Sequence, residues 1–291
     1  MSITTHPPVV LEPESQAFVE ATAKPPFLYE LTPAEARKVL DDVQAEPIDK
    51  LPVKDRWITV PADVGDVRVR IVRPPDAEGT LPVILYIHGG GWVLGNADTH
   101  DRLVRELSDG TEAAVVFVEY DRSPEAHYPV AIEQGYATAQ WIVREGADNQ
   151  LDPDRMAIAG DSVGGGMTAA IALLAKERGD VRFVHQSMYY PVTDAAMDTG
   201  SYEQFAEGYF LTAKGMAWFW DAYLPDHERR SEPTRRRCGP ATSSSRGCPR
   251  RSCSSTRPTC CATKAKPTRR ACGPPASPSQ PSATTASHTT S

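Results

Sequence analysis

Two neighbouring segments near position 60 alternate apolar and polar residues. Trp57-Ile-Thr-Val60 and Val67-Arg-Val-Arg-Ile-Val72 read as strands, and Gly65-Asp66 between them supplies the turn of a hairpin. The pattern then changes. Leu81-Pro-Val-Ile-Leu-Tyr-Ile-His88 is apolar almost throughout, which suits a strand buried on both faces. His100–Asp109 places Leu103, Val104 and Leu107 on one side at helical spacing. Beyond it, Ala113–Tyr120 predicts a strand and Pro129–Arg144 a helix with a proline near its first turn. Arg155–Ala159 predicts a strand, Gly165–Arg178 a helix and Phe183–Tyr189 a further strand. Strands alternating with helices need crossover connections. The pattern therefore predicts an α/β fold, a mainly parallel sheet flanked by helices, with chemistry at the strand carboxyl ends.

Two segments fall outside that rhythm. Residues 1–50 hold a helix opening at Thr32-Pro-Ala-Glu35, where Thr caps, Pro follows and Glu stands third. We read them as an N-terminal cap segment. Residues 201–224 are rich in aromatics, among them Tyr202, Phe205, Tyr209, Phe210, Trp218, Phe219, Trp220 and Tyr223. A helix packed into the core would account for them. So would a cap over a pocket, since aromatic walls suit small apolar ligands.

Composition divides the chain sharply. The 291 residues are 40% hydrophobic and 24% charged, as in ordinary soluble proteins. No run approaches 18 apolar residues, and Met1-Ser-Ile-Thr-Thr-His-Pro-Pro8 has neither a basic nor an apolar region. These features predict a cytoplasmic protein without a membrane span. Of the 31 basic residues, 11 lie after position 233 and 20 before it, whereas all 38 acidic residues lie before it, so the two parts carry +11 and −18. Residues 234–291 also hold all six cysteines and no Val, Ile, Leu, Met, Phe, Trp or Tyr. Three regions follow: the cap segment 1–50, a core over 51–233, and a basic Cys/Ser/Pro-rich tail over 234–291 that cannot build a core and is expected to be disordered.

Two motifs carry chemistry. Gly160-Asp-Ser162-Val-Gly164 fits the G-x-S-x-G elbow, a strained strand-to-helix turn that exposes a serine oxygen. It follows the strand Arg155–Ala159 and opens an apolar helix, the context the motif requires. His88-Gly-Gly-Gly91-Trp92 follows the strand from Leu81, and successive glycines let backbone N–H groups face a developing oxyanion. The expected oxyanion hole is the N–H groups of Gly89 and Gly90 with that of Val163. A phosphate loop is the weaker reading, because no Lys-Ser, Lys-Thr or G-x-G-x-x-G pattern accompanies the glycines. His88 is read as a structural residue orienting the loop, not as a catalytic base.

His88–Trp92 and Gly160-Asp-Ser-Val-Gly-Gly-Gly166 resemble the HGGG and GDSAGG motifs of the hormone-sensitive-lipase-like esterases. Tyr120-Asp-Arg-Ser-Pro124-Glu125 resembles that family's Y-R-L-A-P-E segment, departing from it at Asp121, Arg122 and Ser123. The resemblance covers about residues 55–233. It implies an α/β-hydrolase fold and hydrolysis of small or short-chain carboxylic esters through an acyl-serine, with no cofactor and no metal. Gly91, Trp92, Glu125 and Asp161 match positions read as supporting.

The family's remaining catalytic pair has no counterpart. In this fold Asp or Glu and then His follow the serine on later strands. After Thr234 there is no acidic residue, and His288 is the only histidine. Back-translated with GC-rich codons and read one base early, Pro258–Arg269 can give D-V-L-R-D-E-G-E-A-Y-A. Gln280–Ser291 can give V-R-Y-N-G-I-A-H-D-F in the same frame. Both resemble the missing segments, in order. We infer a frameshift near residue 234, which would place the intended acid across the codons of Pro258 and Thr259 and the base across those of His288 and Thr289. The last strands of the fold are then missing or replaced, and the strand at Phe183–Tyr189 is expected to form an exposed edge. Zinc or disulfide chemistry fits the scattered cysteine spacing poorly, and the basic tail does not by itself make a nucleic-acid partner. The expected partner is a small-molecule ester, with neither nucleic acid nor membrane. Ester hydrolysis, impaired in the chain as written, leads. The alternatives are a non-catalytic small-molecule binding protein on a hydrolase fold, and a peptidase or amidase with the same machinery.

Overall fold

The computed structural model describes residues 9–45 and 47–230. The tail 234–291, with its cysteines and His288, lies outside the described residues. At the amino end Pro13–Thr22 forms α1 and Pro33–Gln44 forms α2. Thr32 caps α2 reciprocally: its hydroxyl accepts from Glu35 N at 3.3 Å, and Glu35 Oε2 accepts from Thr32 N at 2.9 Å. The sequence pattern did not indicate α1, which buries no residue.

The sheet is built from β1 (Lys54–Val60), β2 (Val67–Arg73), β3 (Leu81–Ile87), β4 (Ala114–Glu119), β5 (Leu151–Asp161) and β6 (His185–Tyr189). Their order is β1-β2-β4-β3-β5-β6. The first three in that order pair antiparallel, and β4, β3, β5 and β6 run parallel. The long helices α3 (Asp101–Thr111), α4 (Val130–Glu145) and α5 (Val163–Arg178) fill the crossovers, and short α6 (Gly200–Gln204), α7 (Ala213–Tyr223) and α8 (His227–Arg230) follow. This is the α/β sheet that the hydrophobic pattern predicts, with β5 longer than expected and α5 beginning two residues earlier.

Alternation along the strands sorts the core into two layers. Val83, Leu85, Ile87, Val116 and Val118 face the larger cluster with residues of α4, α5 and α7, whereas Tyr86, Val115 and Phe117 face a smaller one with Val104 of α3. Fully burying one such side chain stabilises the fold by about 1.5–3 kcal/mol. Beneath α3 a charged cluster replaces apolar packing. Arg70, on β2, donates to Asp101 at 2.7 Å and to Asp55 at 2.6 Å. Among the described residues β6 is an outer strand, paired to β5, and Met188 and Tyr189 on it are 43% and 41% exposed. No helix among the described residues is long and apolar enough to cross a membrane.

Candidate active site

The carboxyl ends of β3 and β5 lie side by side, with Ile87 opposite Gly160, and each is followed at once by one of the two glycine motifs. Ser162 sits between β5 and α5 as the N-cap of that helix, at φ +53° and ψ −121°. A residue with a side chain held there stores on the order of 1–3 kcal/mol. The surroundings fix the turn. Ser162 N donates to Tyr189 O at 2.9 Å, and Ser162 O accepts from Gly166 N at 3.1 Å and Val192 N at 3.0 Å. The Ser162 side chain faces a cavity of about 620 Å³ that it shares with Gly90, Gly91, Val163, Asp161 and His100. The amino end of α5 also opens here, where backbone N–H groups and the helix dipole favour negative charge.

The glycine loop after β3 turns sharply, with Gly90 at φ +103° and Gly91 at φ +63°. Gly90 O accepts from Leu94 N at 2.8 Å. A Cβ on Gly91 would collide with the Phe219 ring, so the loop can rest against α7 only where no side chain intervenes. Asp161 anchors the other side of the loop. Its buried Oδ1 accepts from Gly89 N at 2.9 Å and from the Tyr86 hydroxyl at 2.9 Å, and His100 Nε2 stands 3.7 Å away. Burial pushes this carboxyl up, but the neighbouring His100 and the Tyr86 hydroxyl outweigh it and hold the group below its ordinary value.

That geometry corrects one expectation. The Gly89 N–H is taken by Asp161 Oδ1, so Gly89 anchors the loop and is not free to meet an oxyanion. Gly90 and Gly91 line the cavity instead, together with Val163. Trp92, read as a supporting position, does not line the cavity. Its backbone is left-handed at φ +62°, which turns the indole inward to stack on Tyr223 at 4.1 Å and 1°. It is core, not pocket wall.

His88 is fully buried beneath the loop, stacked on Tyr120 at 4.1 Å, with Nδ1 2.7 Å from Gly89 O. Burial, aided by the neighbouring His100, lowers its pKa to about 3, which keeps the ring neutral. Glu125 stands outside the cavity. It receives both Nη groups of Arg37, at 2.9 and 2.6 Å, and so ties α2 to the segment following β4. The Arg37 contact holds the Glu125 carboxyl down at about 2.

Residues from the amino-terminal helices and from the aromatic segment meet at the cavity that holds Ser162. Leu28 and Leu40 from the amino-terminal side, and Phe210, Leu211, Met216 and Phe219 from the later one, line the cavity. Both readings of the aromatic segment therefore hold in part, because Phe219 lines the cavity while Trp220 and Tyr223 are buried in the core. Sequence reasoning missed His100, Leu28 and Leu40. The stripe Ala36, Val39, Leu40 and Val43 on α2 carried the signal for an apolar face.

Comparisons with known proteins agree with this architecture. Residues 84–256 match the family model of the alpha/beta hydrolase fold. An α/β hydrolase of Acanthamoeba polyphaga mimivirus is 34% identical over 224 residues, covering 77% of this chain and 64% of that protein. The carboxylesterase NlhH of Mycobacterium tuberculosis is 37% identical over 192 residues, 65% of this chain and 60% of that protein. The chain thus spans somewhat under two thirds of the length of these relatives. A thermostable esterase of Pseudomonas putida superposes with a TM-score of 0.71 at 46% identity, over 75% of this chain and 70% of that one.

Proposed function

Because the chain belongs to the alpha/beta hydrolase fold family, we propose that it is a carboxylic ester hydrolase by descent, with Ser162 as nucleophile. The observation that carries this reading is the strained Ser162 turn facing Gly90, Gly91 and Val163 across one cavity. Ser162 Oγ attacks the ester carbonyl, forming the C–Oγ bond and moving the carbonyl π pair onto oxygen. The N–H groups of Gly90, Gly91 and Val163 hold that oxyanion, a type of donor whose loss typically costs 10²–10³ in rate. Collapse expels the alcohol, which takes a proton, and water then releases the acid from the acyl-serine.

The proton taken from Ser162 needs a base, and that base an orienting acid. His88 is buried, neutral and committed to the loop. His100 is the histidine among the described residues that lines the cavity, but its ring is engaged by Thr99 at 2.9 Å and faces Asp161. The chain as written is therefore strongly impaired, retaining at most the acceleration that binding and the oxyanion donors supply. A binding protein without chemistry would tolerate the missing pair, yet it would have no use for a serine held at φ +53°.

Hydrolysis of p-nitrophenyl acetate and butyrate tests the reading, comparing the chain as written, its Ser162→Ala variant and a frame-restored chain. Activity in the restored chain, lost on Ser162→Ala, is the expected result. No Ser162-dependent activity in either chain would overturn it. Ser162-dependent activity in the chain as written would mean that the chain holds a base after all, and would refute the frameshift account of impairment.

A further inference from the structure

Among the described residues β1 and β6 are the two outer strands of the sheet, and they differ in how their free edges are guarded. β1 opens on Lys54, Asp55 and Arg56, charges of the kind that keep an edge from pairing with another chain. β6 reads His185-Gln-Ser-Met-Tyr189, with no carboxylate, lysine, arginine or proline. Apolar surface beside it is also bare. Met188 and Tyr189 are exposed, as are Val184 and Tyr190 at its two ends and Leu173 on the adjacent α5. An unguarded edge flanked by uncovered apolar side chains is a template for another strand. The sequence of residues 231–291 offers none. It holds no Val, Ile, Leu, Met, Phe, Trp or Tyr, and prolines recur along it from Pro233 to Pro281.

Backbone direction selects the residues that meet such a strand. Val184 N donates to Met156 O on the β5 side. Alternation along the strand therefore turns the amides of His185 and Ser187 to the open side. A second β6 laid antiparallel about a two-fold axis through Ser187 matches this edge to itself. Ser187 then faces Ser187, Gln186 faces Met188 and His185 faces Tyr189, and no pair sets two carboxylates or two lysine or arginine side chains opposite each other. We propose that two copies of this chain associate through β6 in that register, joining their sheets across an isologous interface. The interface requires no chemistry at Ser162 but bears on it. Ser162 N bonds to Tyr189 O, so pairing of β6 steadies the serine turn and dilution of the dimer releases it.

Sedimentation velocity of the full chain over a concentration series tests this. Reductant removes cysteine links, and high salt screens the basic tail from the acidic body. A monomer–dimer equilibrium is expected. Ser187→Pro removes the outward N–H and spares the pairing to β5, since proline is tolerated where a strand edge faces solvent. It deletes both bonds that the Ser187 pair exchanges, and should weaken the dimer about thirty-fold. His185→Lys with Tyr189→Lys sets like charges opposite and should abolish the dimer. His185→Glu with Tyr189→Lys makes two complementary pairs and should restore it. That comparison decides the matter should Ser187→Pro fold poorly. A parent that stays monomeric, association that runs on past the dimer, or a dimer indifferent to these variants would overturn the proposal. A Glu–Lys variant no better than the Lys–Lys one would overturn its register.

Discussion

Asp161 holds two motifs together, and removing its carboxylate should cost more than neutralising it. Its Oδ1 accepts from Gly89 N and from the Tyr86 hydroxyl, both at 2.9 Å, and Tyr86 is fully buried. Asp161→Ala leaves both donors without a partner, and each buried unpaired donor costs about 1–3 kcal/mol. The sum is about 4 kcal/mol. Asp161→Asn keeps an oxygen in place and gives up only the charge in each bond, about 1 kcal/mol apiece. At about 3 °C per kcal/mol for a domain of this size, the alanine variant should melt about 12 °C below the parent and the asparagine variant about 6 °C below it. Tryptophan fluorescence on heating would measure both. The pH dependence has a fixed sign. The folded carboxyl titrates below its ordinary value. Its contribution is therefore complete above the unfolded pKa of about 3.9 and is lost as pH falls through the lower folded value. The gap between parent and Asp161→Asn should accordingly be constant at neutral pH and close under acid. Equal melting of the alanine and asparagine variants would refute the view that Asp161 is a two-donor anchor.

Two further outcomes follow from the same geometry. A Cβ on Gly164 would collide with Ile87 O and stand 2.6 Å from His88 O, both rigid backbone, so Gly164→Ala should destabilise by about 3 kcal/mol and sharply lower soluble yield, measured beside Gly110→Ala, where a Cβ meets nothing within 4 Å. Asp101 receives Arg70, Arg105 and Lys50 at 2.7, 2.8 and 2.9 Å. Burial opposes these cations, yet they hold its pKa down at about 2. Asp101→Asn should cost about 3 kcal/mol, because Arg70 stays buried with Asp55 alone. The difference from parent, followed by urea unfolding, should hold above about pH 4 and vanish toward about pH 2.

The elements that sequence alone made legible are those whose signal is local. Thr32 and Glu35 announce a helix start because both hydrogen bonds of the capping box close within one turn. The strands β3 and β4 are apolar throughout because helices cover both faces of the sheet. The elbow could be located because its glycines, its strand and its helix are contiguous. What was missed depends on contacts between distant segments. The engagement of Gly89 comes from a carboxylate 72 positions away, and nothing near Gly89 announces it. The inward turn of Trp92 depends on Tyr223, and the seating of Leu28 and Leu40 in the cavity depends on where the cap comes to rest. A glycine run constrains how many donors are available, not which of them remain free.

The position of β6 couples strand pairing to the Ser162 turn. Ser162 N bonds to Tyr189 O, the last residue of that strand, and Ser162 O receives Val192 N just beyond it. The strained turn is thus held from one side by a strand that is outermost among the described residues and whose own side chains are substantially exposed. An edge strand frays more readily than an inner one, since it is paired along one side. Each opening of β6 would release Ser162 from φ +53° into a relaxed conformation and move its oxygen away from Gly90 and Gly91. On the proposed frameshift, restoring the reading frame would act on reactivity twice, by supplying an acid and a base and by pairing β6 so that the proposed nucleophile stays strained. A small phosphonylating probe that labels Ser162 separates the two effects. If turn-holding matters, a restored chain in which the intended histidine is replaced by alanine should still label faster than the chain as written, and equal labelling would leave the base as the sole gain.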